Sequence, residues 1–152
     1  MDLRSILRGK VVIVGIGNIM KGDDAFGPAL LDRLAGKVKA VLINAGVSPE
    51  NYTGKIAKEK PDCILLVDAA DLGRKPGEWA ILKRDEILKS GFTTHDMSPA
   101  IFIDYMKERT GADIYLLGVQ PKNISFGDKM SHDVSKTLEA ISELIKSEVK
   151  NA

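Results

Sequence analysis

Cysteine occurs once in the 152 residues, at Cys63. An internal disulfide is therefore excluded, and so is a structural zinc site, which draws mostly on several cysteines at short spacing. The residue opens an apolar run, where a buried and inert thiol is expected. Charge of one sign is also missing: 22 basic and 21 acidic side chains are interspersed and leave a net charge of +1. That balance excludes the electrostatic footprint of a nucleic-acid or anionic-membrane binder. No run approaches the ~20 apolar residues that a membrane helix requires, and the N-terminal MDLRSILRGK lacks the apolar core of a signal peptide. A cytosolic protein is the expectation. Repeats, linkers and low-complexity segments are absent, so one domain over residues 1–152 is expected. Several catalytic signatures are missing as well. There is no His-Glu-x-x-His, no Gly-x-Ser-x-Gly elbow, and no Asp-Thr-Gly or Asp-Ser-Gly of a pepsin-like dyad.

What the chain does have is concentrated between Lys10 and Gly27, KVVIVGIGNIMKGDDAFG. Val11 to Ile16 is a β-branched run of the kind that forms a central parallel strand, buried on both faces. The glycines that follow permit a tight turn. Residues 17–22 then leave the carboxyl end of this strand as a loop that delivers Asp23 and Asp24 to the sheet edge. Phe26, Leu30 and Leu34 recur at helical spacing, so a helix follows, with Asp23 or Asp24 as its cap. A strand, a glycine-rich turn and a helix also make a dinucleotide-binding unit. Here, however, position 20 is Met rather than the third glycine, and two carboxylates stand where a phosphate needs amides.

The remaining chain alternates in the same manner. Strands are expected at Val38–Asn44 and Cys63–Val67, with a helix from Pro49 to about Lys58 between them, opened by Ser48 and Pro49. Asp68 stands at the carboxyl end of the third strand. If strands one and three are parallel, as a crossover of this length implies, Asp68 shares an edge with Asp24. Trp79–Lys83 is a fourth strand reached without a helix, hence antiparallel or at an edge, and a short helical turn follows at Asp85–Lys89. The segment FTTHDMSP, carrying Thr94 and His95, then returns toward the two aspartates. A helix at Pro99–Arg109, a strand at Asp113–Val119, a polar loop at Lys122–Met130 and a long helix from about His132 to Val149 complete the chain. The fold class is α/β: a three-layer sandwich with a twisted, mostly parallel sheet of about five strands and helices on both faces.

In such sheets ligands bind at the carboxyl edge. Two carboxylates and one imidazole there suit an intermediate divalent metal, such as nickel or zinc, better than calcium, whose ligands are all oxygens. His132, in the first turn of the last helix, is read as solvated. Asn18, Gly15, Gly17 and Gly22 are read as loop shapers, Asn18 also as a donor to an aspartate or to substrate, and Asp23 and Asp71 as supports, a helix cap and a strand-end turn.

The blocks GIGNIMKGDDAFGP, VSPEN, LLVDAADLG, TTHDMSP and LGVQP, in that order, resemble the [NiFe]-hydrogenase maturation proteases, most closely those of the hydrogenase 3 type. The resemblance implies a cytosolic endopeptidase of aspartic type that removes a C-terminal peptide from a hydrogenase large-subunit precursor once nickel is inserted. By motif, Asp24, Asp68 and His95 match the positions that bind or sense the metal; the catalytic water is expected to be activated either by that metal as Lewis acid or by a carboxylate, Asp24 first and Asp68 second. Gly17, Asn18 and Thr94 beside them are assigned to substrate binding. The nickel arrives with the precursor, and the enzyme is expected to act as a monomer without a metal of its own. Ala25 departs from the pattern, since glycine is common after the acid pair. A non-catalytic adaptor for the nickel-loaded subunit and a nucleotide-binding enzyme are the competing readings.

Overall fold

The structure, a computed structural model, describes residues 1–89 and 98–149. Five strands form one sheet in the order β2-β1-β3-β5-β4: β1 Val11–Ile16, β2 Val41–Gly46, β3 Cys63–Ala69, β4 Trp79–Leu82 and β5 Asp113–Val119. All neighbours are parallel except β4, which runs antiparallel to β5 and forms one edge. The expected α/β sandwich is thus present, and so is the expected reversal of the fourth strand.

Alternation along the strands explains the two helical layers. Val11, Ile13, Leu65, Val67, Leu117 and Val119 point to one face, where they pack with Phe26, Leu30 and Leu34 of α2 (Phe26–Leu34) and with Val134, Leu138, Ile141 and Ile145 of α6 (His132–Glu148). Val12, Val14, Ile64, Leu66 and Leu116 point to the other. They meet Ile56 of α3 (Thr53–Lys58), Ile87 of α4 (Arg84–Ile87), and Phe102 and Met106 of α5 (Pro99–Thr110). Side chains with period two on a strand and near 3.6 on a helix give these two cores without further adjustment. A short helix not foreseen from the sequence, α1 (Leu3–Ile6), is capped by the Asp2 carboxylate, which accepts from the Ser5 N–H at 2.9 Å. It buries Leu3 and Ile6 in the first core.

Element boundaries differ from the sequence reading where long-range pairing decides them. β2 begins at Val41 rather than Val38, because the Lys39 N–H is taken by the Val149 carbonyl at the end of α6. The Ala45–Gly46 turn proves to be strand, since Gly46 pairs with Ile16 across a register shift. β3 runs on through Asp68 and Ala69, which pair with Gly118 and Val119. The helix expected from Pro49 begins as a 3₁₀ turn, Pro49–Tyr52, and α4 lies one residue earlier than expected, at Arg84.

The point that positions everything else is the seat of α2. Gly15 of β1 and Gly27 of α2 allow the two backbones to meet: a Cβ on Gly15 would lie 2.8 Å from the Gly27 carbonyl oxygen. A Cβ on Gly27 would lie 2.6 Å from both the Ile16 nitrogen and the Val67 carbonyl oxygen. The start of α2 therefore sits directly on the carboxyl ends of β1 and β3.

Gly27→Ala must displace backbone rather than a flexible side chain, so it is expected to cost about 1–3 kcal/mol of stability; the shift in denaturation midpoint measures it. Burial, aided by the nearby Asp113 charge, pushes the Cys63 thiol up to about 11. Native protein at pH 8 is therefore expected to resist a thiol reagent that modifies Cys63 rapidly once the chain is unfolded.

Candidate active site

Strand order reverses between β1 and β3: the chain leaves β1 for β2 on one side and returns to β3 on the other. Such a switch point leaves a crevice at the carboxyl ends of the two strands, the usual ligand site of open α/β sheets. Asp24 follows β1 and Asp68 lies at the end of β3, so the two carboxylates flank this crevice. The 3₁₀ turn Gly22–Ala25, which carries Asp24, packs against β3. Beside Asp68 a narrow space of about 10 Å³, roughly the room of one water, is lined by Ile16, Pro49, Leu66, Pro99, Phe102 and Leu116.

The adjacent aspartates of the turn have separate tasks. Asp23 is fully buried, and its carboxylate is saturated. Oδ2 accepts from the Lys122 N–H at 2.8 Å, the Asn123 N–H at 3.0 Å and the Ser131 hydroxyl at 2.9 Å, and Oδ1 accepts from the Ser131 N–H at 2.7 Å. It ties the β1–α2 loop to the loop after β5 and to the N-cap of α6. The expectation that it caps its own helix is corrected: neither the 3₁₀ turn nor α2 has a side-chain cap. The reason is that Asp23 faces inward, where distant amides lack other partners.

Asp24 is only 2% exposed. Its Oδ2 accepts from the Asn18 N–H at 2.9 Å, while Oδ1 has no hydrogen-bond partner among the described residues. An unsatisfied buried carboxylate oxygen is costly unless the site serves a cation or a donor that arrives later. Asp68 is 1% exposed. Both carboxylates therefore reach this edge from inside the protein, held by strand and turn rather than by mobile surface chain.

Asn18 does donate to an aspartate, but through its backbone N–H. Its side-chain oxygen closes a local turn by accepting from the Met20 N–H at 2.9 Å. Gly17, with φ +146°, has no room for a side chain, because a Cβ there would strike the Asp24 carbonyl oxygen. Ala25 has φ −75° and ψ −2°, a conformation open to any L residue, so alanine holds the loop without strain. His132 is exposed, as expected. Thr94 and His95 lie outside the described residues, and among the described residues no group of three His, Cys, Asp or Glu side chains could hold a metal ion.

Two supports escaped the sequence reading. Gln120, nearly buried at the end of β5, accepts from the Leu72 N–H at 2.6 Å and the Arg74 N–H at 3.3 Å, and donates to Asp71 at 3.4 Å. It fixes the loop after β3 on the side of Asp68. An uncharged polar residue ending an apolar strand just before Pro121 was the available signal. Ser131 is the second, legible only as the N-cap that precedes the periodic α6.

A family model described as hydrogenase maturation protease, HycI, matches residues 28–148. The chain belongs to the hydrogenase maturation protease family. It is 36% identical to the hydrogenase 3 maturation protease of Escherichia coli K12 over 86% of this chain and 85% of that one. The crystal structure of the [NiFe] hydrogenase maturation protease HycI from Thermococcus kodakarensis KOD1 superposes with a TM-score of 0.90 at 38% identity, covering 98% of this chain and 99% of that one. The solution structure of the endopeptidase HycI from Escherichia coli gives a TM-score of 0.83 at 34% identity, covering 91% and 90%. This HycI-like chain is accordingly a peptidase, with the fold of the HycI enzymes.

Truncating the buried clamp tests the division of labour between the acids. Asp23→Ala leaves three backbone N–H groups and a hydroxyl without their acceptor and is expected to cost about 3–5 kcal/mol of stability. Asp24→Asn, whose Oδ1 side lacks a partner, should leave stability within about 1 kcal/mol of the parent. Urea denaturation of both variants makes the comparison.

Proposed function

We propose that this protein is the endopeptidase that removes the C-terminal extension from the nickel-loaded precursor of a [NiFe]-hydrogenase large subunit, recognising the nickel with Asp24, Asp68 and His95. The observation that carries the reading is the buried Asp24 carboxylate. One oxygen is fixed by the Asn18 N–H and the other lacks a partner among the described residues, at the switch point that Asp68 also flanks. A carboxylate so held approaches a cation end-on through Oδ1, and a set of two carboxylates and an imidazole suits nickel.

Nickel is here part of the substrate. When the precursor docks, the three side chains complete the coordination of its metal and so hold the scissile bond at the mouth of the crevice, with Gly17, Asn18 and Thr94 as contacts for the substrate chain. A precursor without nickel gains nothing from these ligands, so loading is checked by differential binding. Hydrolysis needs a water activated by the nickel as Lewis acid or by a carboxylate, Asp24 first and Asp68 second. The protein acts in the cytoplasm as a monomer.

The test is the mass of the precursor after incubation with this enzyme. Loss of a C-terminal peptide from the nickel-loaded form alone is expected, and Asp24→Asn, Asp68→Asn and His95→Ala should each slow it by ~100-fold or more. Normal processing by Asp68→Asn removes that residue from both roles. Stable binding of the loaded precursor without any change in its mass would replace the peptidase reading with that of an adaptor.

A further inference from the structure

The loop after β1 and the loop after β5 form one rigid unit. The Asp23 N–H donates to the Asn123 carbonyl at 2.7 Å, the Gly22 N–H to the Asp128 carbonyl at 3.1 Å, and the Gly127 N–H to the Met20 carbonyl at 2.8 Å. The Asp23 carboxylate fastens the same two loops from beneath. The Asp128 carboxylate stiffens the outer turn by accepting from the Ser125 N–H at 3.0 Å.

On this stiff platform stand four large apolar side chains with little cover: Ile19 is 71% exposed, Met20 55%, Ile124 41% and Phe126 68%. Single exposed apolar residues are ordinary, but four on two interlocked loops are not. Among the described residues none of the four belongs to either core, and the loops that carry them are held by backbone hydrogen bonds instead. Lys21, Lys122 and Lys129 lie on the same two loops, and none of the three is in an ion pair among the described residues. The nearby Asp128 is occupied by the Ser125 amide, and Asp23 is buried.

The position of this platform identifies its occupant. Asp24 is carried by the same loop as Ile19 and Met20, four residues beyond Met20, and the loop after β5 leaves the same edge of the parallel sheet, so the platform borders the crevice at which Asp24 stands. We infer that Ile19, Met20, Ile124 and Phe126 are the docking surface for the folded body of the nickel-bearing precursor, against an apolar patch with acidic residues at its margin. This inference rests on the proposed processing of that precursor. Pre-ordered apolar anchors lower the ordering cost of association, and the lysine rim accelerates encounter with an acidic margin.

Steady-state processing of nickel-loaded precursor by the full-length enzyme tests the assignment. The double variant Ile19→Ser/Phe126→Ser is expected to raise KM at least 10-fold while kcat changes less than about 2-fold. Lys122→Glu/Lys129→Glu should slow association and weaken its dependence on salt. Leu144→Ser, which removes an exposed apolar side chain from α6, serves as the control with unchanged KM. An unaltered KM in the double variant, with its thermal midpoint equal to that of the parent, overturns the docking surface and leaves the peptidase standing. If the parent processes no precursor, the functional reading fails instead; binding of precursor by the parent and not by the double variant would then still support the surface. A parent dimer in sedimentation that the double variant dissociates would assign the patch to a second copy of this chain and overturn the inference.

Discussion

The structure depends on the close approach of two backbones, β1 at Gly15 and α2 at Gly27. Without side chains at those positions, α2 sits directly on the ends of β1 and β3. The preceding 3₁₀ turn then has only one place to go, over the sheet edge at the strand-order reversal. Asp24 is buried there because the helix behind it is seated so low. A helix held even one methyl group higher would lift the turn and hydrate its carboxylates. Gly17 and Gly22, both at positive φ, also pass close to other stretches of main chain, the Asp24 carbonyl and the Asn123 carbonyl respectively.

Burying two adjacent acids is costly, and the protein meets the cost differently at each. Asp23 receives four hydrogen bonds, which satisfy both of its buried oxygens, and so acts as a structural anchor between distant loops. Asp24 accepts from the Asn18 N–H through one oxygen, and its other oxygen has no hydrogen-bond partner among the described residues. Asp68 gains its rigidity otherwise, from a strand that continues through it and from the Gln120 clamp on the loop that follows.

This arrangement agrees with the membership of the chain in the hydrogenase maturation protease family and with its likeness to HycI structures. On the proposed reading, in which a metal within the substrate is recognised, the ligands must be fixed before the substrate arrives, because ordering them on docking would blur the difference between loaded and empty precursor. The interlocked loops provide that fixity and present an apolar, lysine-rimmed platform beside it.

The sequence by itself determined the sheet and its layers. The continuous apolar runs Val11–Ile16 and Cys63–Val67, the helical stripes of α2 and α6, and the short link to Trp79 led to the α/β sandwich and to the reversed edge strand. It also determined that Asp24 and Asp68 share an edge, because parallel strands must point their carboxyl ends the same way. Local patterns carry this information, for periodicity and loop length act over a few residues. Only the tertiary structure decided which acid of the pair is clamped by distant amides and which keeps an oxygen without a partner among the described residues. The partners of Asp23 lie 99 to 108 residues away, so no neighbouring residue marks the difference. The strand ends at Val41 and Ala69, the clamp by Gln120 and the pairing of the two apolar loops were decided in the same way, by hydrogen bonds between segments that meet only once the sheet has formed.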